Sequence, residues 1–192
     1  MRPSTSAGMN HAVMPGPVAI ASQACSGVAG TSTSIAGIAR ALRLGAQGVS
    51  LGTRFVASEE AWIHPVYKDR VVQSTAGDTF LGELFASRGR ANRQRALRNK
   101  AFEAWDSAGR PAPGERPREG TAIGTLRLPW GEQAWARYEV GMLVPDFDGD
   151  PDWAPMWAGE SIDVINDVMP AAAIVRDLAR EAEAVLAQPP SA

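Results

Sequence analysis

Residues 34–61 read SIAGIARALRLGAQGVSLGTRFVASEEA, and this stretch decides the fold. Its first half carries apolar residues three and four positions apart, which is the spacing of one helix face. The members of this face are Ile35, Ile38, Ala39 and Leu42. The pattern predicts a helix over residues 35–44, with Ser34 as N-cap and Gly45 where a left-handed C-terminal cap favours glycine.

The next residues, 48–52, predict a short extended strand, so that helix and strand together form an α/β unit. Gly52 would let a ligand approach the backbone at the end of this strand. The amides of Gly52 and Thr53, together with the Thr53 hydroxyl, are suited to donate hydrogen bonds to a phosphate. A tight turn after a core strand explains the same pair, and spacing alone favours that simpler interpretation.

The helix IARALRLGA, the strand QGVSLGT and the continuation RFVASEEAWIHPVYK occur together and in this order. This combination resembles nitronate monooxygenases, formerly called 2-nitropropane dioxygenases. The resemblance continues more loosely through residues 95–99, 157–161 and Pro170. It implies an α/β fold, namely the C-terminal part of a (β/α)8 TIM barrel that is incomplete in this chain. It also implies FMN as cofactor, and alkyl nitronates and O2 as substrates.

The resemblance further implies that the last two barrel strands hold the FMN phosphate. On the eighth strand the cofactor-binding residues would be Ser50, Leu51, Gly52 and Thr53. On the seventh, the family's glycine pair falls on Gly30 and Thr31, so the second glycine is missing. A side chain at that point obstructs close backbone approach, and the resemblance therefore predicts a truncated form that is weakly active or inactive.

Three segments are expected along the chain. Residues 1–33 form a divergent leader, residues 34–187 the nitronate monooxygenase-like portion, and residues 188–192 a tail. A closed (β/α)8 barrel usually takes about 250 residues, and this chain has 192. If the strand at 48–52 is left without neighbours, its exposed edge favours self-association.

His64 is the one candidate, and a weak one, for a catalytic base. It precedes Pro65, and that position favours a hydrogen-bonded junction at a helix start over a catalytic role. The resemblance places the family's base on an upstream glycine-rich loop, and His11 lacks that context. The catalytic residue is therefore unassigned, and a non-catalytic fragment or binding module stays open as an alternative.

A second alternative is an anion- or RNA-binding module through the basic stretch Arg88–Lys100, because clustered guanidinium groups neutralise phosphate. The stretch contains no aromatic residue on which a base could stack. We therefore favour a solvated basic surface and predict no nucleic-acid partner.

Acidic residues recur over residues 146–152, which suggests a calcium loop. Such a loop needs glycine at its sixth position and a carboxylate at its twelfth, where this chain has Pro151 and Trp157. No metal site is therefore predicted. Four tryptophans crowd this half of the chain and are expected to pack a loop-rich region, with flavin stacking as the alternative; they are Trp130, Trp135, Trp153 and Trp157.

Composition excludes several classes of protein. The net charge of −2 gives no general attraction to nucleic acid or to an acidic membrane. The single cysteine, Cys25, excludes an internal disulfide and fits a reducing cytoplasm. No apolar run is long enough to span a membrane, and the first residues do not form a convincing signal peptide. A cytoplasmic location is therefore predicted.

Overall fold

The computed structural model describes residues 35–85 and 93–188. The α-helices of these residues are Ile35–Arg43 (α1), Thr53–Val56 (α2), Pro65–Gln73 (α3), Lys100–Ser107 (α4) and Ala171–Leu186 (α5). Their strands are Thr79–Gly82 (β1), Gln94–Leu97 (β2), Ala122–Leu128 (β3), Gly131–Ala136 (β4) and Phe147–Gly149 (β5). Short 3-10 helices precede β1, follow β5 and span Glu160–Val164. None of the described helices is long and apolar enough to cross a membrane.

The predicted first helix is confirmed by α1, and the last described helix is α5. The two helices pack together, and Ile38 of α1 and Ile174 of α5 are both buried. The Arg43 guanidinium donates to the carbonyl of Val185 at 2.5 Å and to that of Gln188 at 2.6 Å. A cation at these carbonyls satisfies acceptors that the end of α5 leaves open.

The predicted strand over residues 48–52 is wrong for this structure. The segment is irregular, and residues 47–51 exchange no backbone hydrogen bond with another described residue. A β-strand is stabilised by backbone hydrogen bonds to a neighbouring strand, and no described strand lies beside this segment to form them. The N-cap prediction for Ser34 and the leader at 1–33 lie outside the described residues, and the proposed segment boundaries stay predictions.

The described strands form two antiparallel sheets. β1 pairs with β2, and β3 lies between β4 and β5. Successive residues of β2 point to opposite faces, as a strand requires. Ala96 therefore packs with the aromatic cluster around Phe80 and Phe102, whereas Leu97 packs with Tyr67 and Trp135 in the larger core.

Residues 156–158 lie alongside β2. Ala96 forms an antiparallel bridge with Trp157, and the Leu97 amide donates to the Met156 carbonyl at 2.8 Å. The amide of Ala158 donates to the Arg95 carbonyl at 3.2 Å. The loop at 156–158 is thereby fixed to β2 and held beside residues 51–53.

Candidate functional site

A cleft of about 580 Å³ lies where three separate parts of the chain meet. Ligand sites usually have volumes of this order. Its lining includes Leu51, Gly52, Thr53, Arg95, Trp157 and Gly159. Most of the rest are apolar, including Phe55, Ile63 and Met142. The cleft is thus suited to a largely apolar ligand with a few polar contacts.

Gly52 lies on the cleft wall immediately before α2. Its backbone angles, φ −101° and ψ −68°, are open to any L-residue. A β-carbon added to Gly52 would have no atom within 4 Å. Neither backbone strain nor packing among the described residues therefore requires glycine here. The open space at this backbone is the room that a closely bound ligand needs.

Thr53 is tied to the opposite wall of the cleft. Its hydroxyl accepts a hydrogen bond from the Gly159 amide at 3.0 Å. A hydroxyl that accepts one hydrogen bond can still donate its own proton. Thr53 is therefore held in place without losing its capacity to donate to an anion.

The other predicted cofactor residues are placed less favourably. Leu51 lines the cleft, whereas Ser50 is exposed and is not among its lining residues. Gly30 lies outside the described residues. The structure thus brings Leu51, Gly52 and Thr53 together at one cleft, and the binding roles of all five residues stay predictions.

Trp157 forms an aromatic wall of the cleft and is fixed on several sides. Its indole nitrogen donates to the Gly141 carbonyl at 3.1 Å, and its ring meets Phe85 edge-on at a centroid distance of 5.4 Å. The Tyr67 hydroxyl donates to the Trp157 carbonyl at 2.5 Å. A ring held this firmly offers a flat apolar surface for a planar ligand.

Comparison with known proteins identifies the family of this chain. Residues 28–181 match the nitronate monooxygenase family. The chain belongs to this family. It is 26% identical over 145 residues to a Bacillus subtilis protein named "Probable nitronate monooxygenase", covering 76% of this chain and 36% of that protein. It is 31% identical to the nitronate monooxygenase npaC of Metarhizium robertsii, covering 78% of this chain and 39% of that protein.

This nitronate monooxygenase-family chain therefore spans under two fifths of the length of these two relatives. Its structure resembles that of a FabK mutant from Thermotoga maritima, with a TM-score of 0.51 and 23% identity. The likeness covers 82% of this chain and 40% of that chain. It supports the predicted α/β fold. The resemblance noted in the sequence is thus confirmed at the level of the family.

His64 lies outside the lining of the cleft. As the N-cap of α3 it accepts a hydrogen bond through Nδ1 from the Val66 amide at 3.2 Å. Its own amide donates to the Leu143 carbonyl at 2.9 Å. These contacts are those of a junction residue. Pro65 begins the helix, as its position in the sequence predicts.

The cleft of this family member offers no proton acceptor among its described lining residues. The titratable ones are Tyr67 and Arg95. Burial raises the pKa of Tyr67 above its ordinary value, so its hydroxyl keeps its proton at neutral pH. The guanidinium of Arg95 is a permanent cation. The described part of the cleft can therefore bind and orient a ligand but supplies no general base.

The described part of the basic stretch, residues 93–100, is not one continuous surface. Arg88 and Arg90 lie outside the described residues. Arg95 pairs with Glu160, Lys100 pairs with Asp150, and the guanidinium of Arg98 lies 5.4 Å from the centre of the Phe102 ring. These members point to different neighbours, which weakens the case for a phosphate backbone tracking along them. Sequence reasoning missed that one of them, Arg95, enters the cleft.

The acidic run at 146–152 is also distributed among cations. Asp148 pairs with Arg127, Asp150 with Lys100, and Asp152 with Arg70.

Of the four tryptophans, Trp135 is buried in the core, Trp130 is exposed, and Trp153 stacks under Arg137 at 3.6 Å. Packing therefore accounts for Trp135 and Trp153, whereas Trp157 reaches the cleft.

His64 gives a pH prediction that separates capping from catalysis. Burial lowers its pKa below the ordinary 6.5, so the unfolded chain takes up the proton first as pH falls. The stabilising contribution of neutral His64 is therefore present above pH 6.5 and is lost as pH falls towards the lowered pKa. We expect the free energy of unfolding to fall more between about pH 7.5 and about pH 5.5 in wild type than in His64→Asn.

Asparagine is the matched replacement because it also caps helices but does not titrate in this range. Urea unfolding at both pH values measures the change in the free energy of unfolding. Subtracting the change in His64→Asn from that in wild type removes the contribution of every other titrating group. Equal pH dependence of the two proteins would contradict the expectation. We also expect His64→Asn to leave ligand binding in the cleft unchanged, because His64 does not line the cleft.

Proposed function

We propose that the chain takes part in the FMN-dependent oxidation of alkyl nitronates with O2, and that its cleft forms one side of the flavin site. The observation that supports this is the meeting of Leu51, Gly52 and Thr53 with Arg95 and Trp157 around one cleft. Family membership supports a flavin oxidoreductase. We also propose that this chain is the C-terminal part of a (β/α)8 barrel.

The residues present fit FMN by two properties of the cleft. The space beside Gly52 allows its amide and that of Thr53 to face a phosphate, and the Trp157 wall suits a planar ring. Bound FMN would supply the redox chemistry, taking electrons from the nitronate and passing them to O2. The protein's part is to bind, to orient and to exclude water from the apolar cleft.

We expect this chain alone to bind FMN weakly and to show no nitronate-dependent O2 uptake. The described lining includes only one loop that we propose to face the phosphate, and no proton acceptor. A positioned base typically contributes about 10²- to 10⁴-fold to a reaction that needs proton transfer. Ultrafiltration with FMN, the visible spectrum of the retained protein and an oxygen electrode test both parts.

The outcomes separate the parts of this proposal. Saturable FMN binding without O2 uptake supports it and favours a weakly active or inactive form. Stoichiometric FMN with nitronate-dependent O2 uptake would show that the chain is a competent enzyme and that the weak-activity part is wrong. Failure to bind FMN or riboflavin at millimolar concentration would refute the flavin site.

A non-catalytic ligand-binding module is the second candidate, favoured by the lack of a base among the described lining residues.

Self-association is part of the proposal as well. Residues 47–51 carry backbone groups without partners among the described residues, and Leu44 and Val49 are exposed beside them. Such a segment is a template for pairing with another chain.

A further inference from the structure

Arg95 is the one charged side chain among the described residues that line the cleft. Its guanidinium donates to the Thr79 hydroxyl at 3.0 Å, and that hydroxyl donates to the Ala76 carbonyl at 2.7 Å. Thr79 is only 4% exposed. A buried hydroxyl therefore holds the guanidinium in one orientation, which reduces the entropy that a ligand contact would cost.

The second contact of this guanidinium is an ion pair with Glu160 at 2.5 Å. The side chains of Arg95 and Glu160 are 27% and 46% exposed. Ion pairs with this much solvent contact contribute little net stability. Exchanging the Glu160 carboxylate for another anion is therefore inexpensive for the fold.

Arg95 and the predicted phosphate-facing loop are joined through residues 158–160. The Gly159 amide donates to the Thr53 hydroxyl, and the next residue, Glu160, pairs with Arg95. The Ala158 amide donates to the Arg95 carbonyl. Residues 158–160 thus connect the wall that carries Gly52 and Thr53 with the wall that carries Arg95, and all three residues line the one cleft.

We infer that Arg95 binds the phosphate of FMN and that Glu160 competes with this phosphate for the guanidinium. The inference rests on the proposed function, because it takes FMN as the ligand. A phosphate monoester carries more negative charge than a carboxylate and accepts bidentate hydrogen bonds from arginine. The phosphate should therefore displace Glu160. A purely structural role, in which the pair only joins β2 to the turn at 159–160, is the contrary hypothesis.

FMN and riboflavin provide the test because they differ only in the phosphate. Flavin fluorescence titrations are made with wild type, Arg95→Gln and Glu160→Gln. Arg95→Gln should weaken FMN binding about 10- to 100-fold, as expected for loss of a charged hydrogen bond, and leave riboflavin binding unchanged. Glu160→Gln should tighten FMN binding about 2- to 10-fold, again without affecting riboflavin.

Two charge-matched controls show whether the effects are local. Arg98→Gln removes a positive charge from the same basic stretch but outside the cleft lining, and Asp177→Asn removes a negative charge from α5, which is also outside that lining. Arg98→Gln and Asp177→Asn should each leave the ratio of FMN to riboflavin affinity unchanged, because neither residue lines the cleft. Thermal unfolding of every variant checks the fold, and retained riboflavin binding by Arg95→Gln checks the cleft itself.

Equal effects of Arg95→Gln on both flavins, or none on either, would overturn the inference while leaving the flavin site standing. An unchanged FMN affinity in Glu160→Gln would overturn the competition by Glu160. Wild type that binds riboflavin and FMN equally well would likewise exclude a phosphate contact at Arg95. Wild type that binds neither flavin would refute the proposed function, and the inference with it.

Discussion

Gly52→Trp is expected to abolish FMN binding while leaving the protein folded. The indole would occupy part of the cleft of about 580 Å³ at the point where the phosphate is proposed to approach the backbone. We expect the dissociation constant for FMN to rise about 100-fold or more, which corresponds to at least about 2.8 kcal/mol. Fluorescence titration with FMN measures the effect.

The fold should tolerate the change for two reasons. The φ of Gly52 is −101°, which is ordinary for an L-residue, and its β-carbon would meet no atom within 4 Å. Gly48→Trp is the matched control, because a β-carbon at Gly48 also has no neighbour within 4 Å and Gly48 does not line the cleft. Wild-type FMN affinity in Gly52→Trp would place the phosphate elsewhere.

The helix α1 and the start of α3 were predictable because their signals are local. The apolar spacing of α1 and the proline that begins α3 act within one or two turns, and the observed bounds follow them closely. The family followed from the same region, since the order of short segments around Gly52 and Thr53 carried the resemblance. Sequence alone therefore located one wall of the cleft.

The segment at 48–52 shows where local signals end. Its composition suits a strand, but a strand needs a neighbour with matching hydrogen-bond partners, and no described strand provides one. The same limit applies to the other wall of the cleft. In the sequence Arg95 is one member of a basic run, and only the pairing of β1 with β2 and the bridge from Ala96 to Trp157 place it in the lining of the cleft.

Gly149 shows how a residue without any side chain can determine the geometry around the site. It is the register partner of Gly124 where β5 pairs with β3. A β-carbon on Gly149 would lie 2.4 Å from the Ile123 carbonyl oxygen, 2.7 Å from the Gly124 α-carbon and 2.6 Å from the Phe147 ring. Two of these neighbours are backbone atoms, so the clash cannot be relieved by rotating a side chain.

We therefore expect Gly149→Ala to destabilise the protein by about 1–3 kcal/mol, the usual cost of adding an atom where close packing leaves no room for it. The strands must separate, and Phe147 must leave its edge-on contact with Trp135, whose ring centre is 5.3 Å away. Gly48→Ala is the matched control, since its β-carbon meets nothing within 4 Å. Urea unfolding of the two variants and wild type measures the difference.

The same change should reach the cleft, because Phe147 packs in one core with Met156 and Ala158 on either side of Trp157. Separation of β3 and β5 would loosen that core and with it the aromatic wall. We expect Gly149→Ala to broaden the Trp157 indole N–H resonance in NMR spectra, whereas Gly48→Ala leaves it sharp. A Gly149→Ala protein as stable as the Gly48→Ala control would show that the two strands can separate without cost.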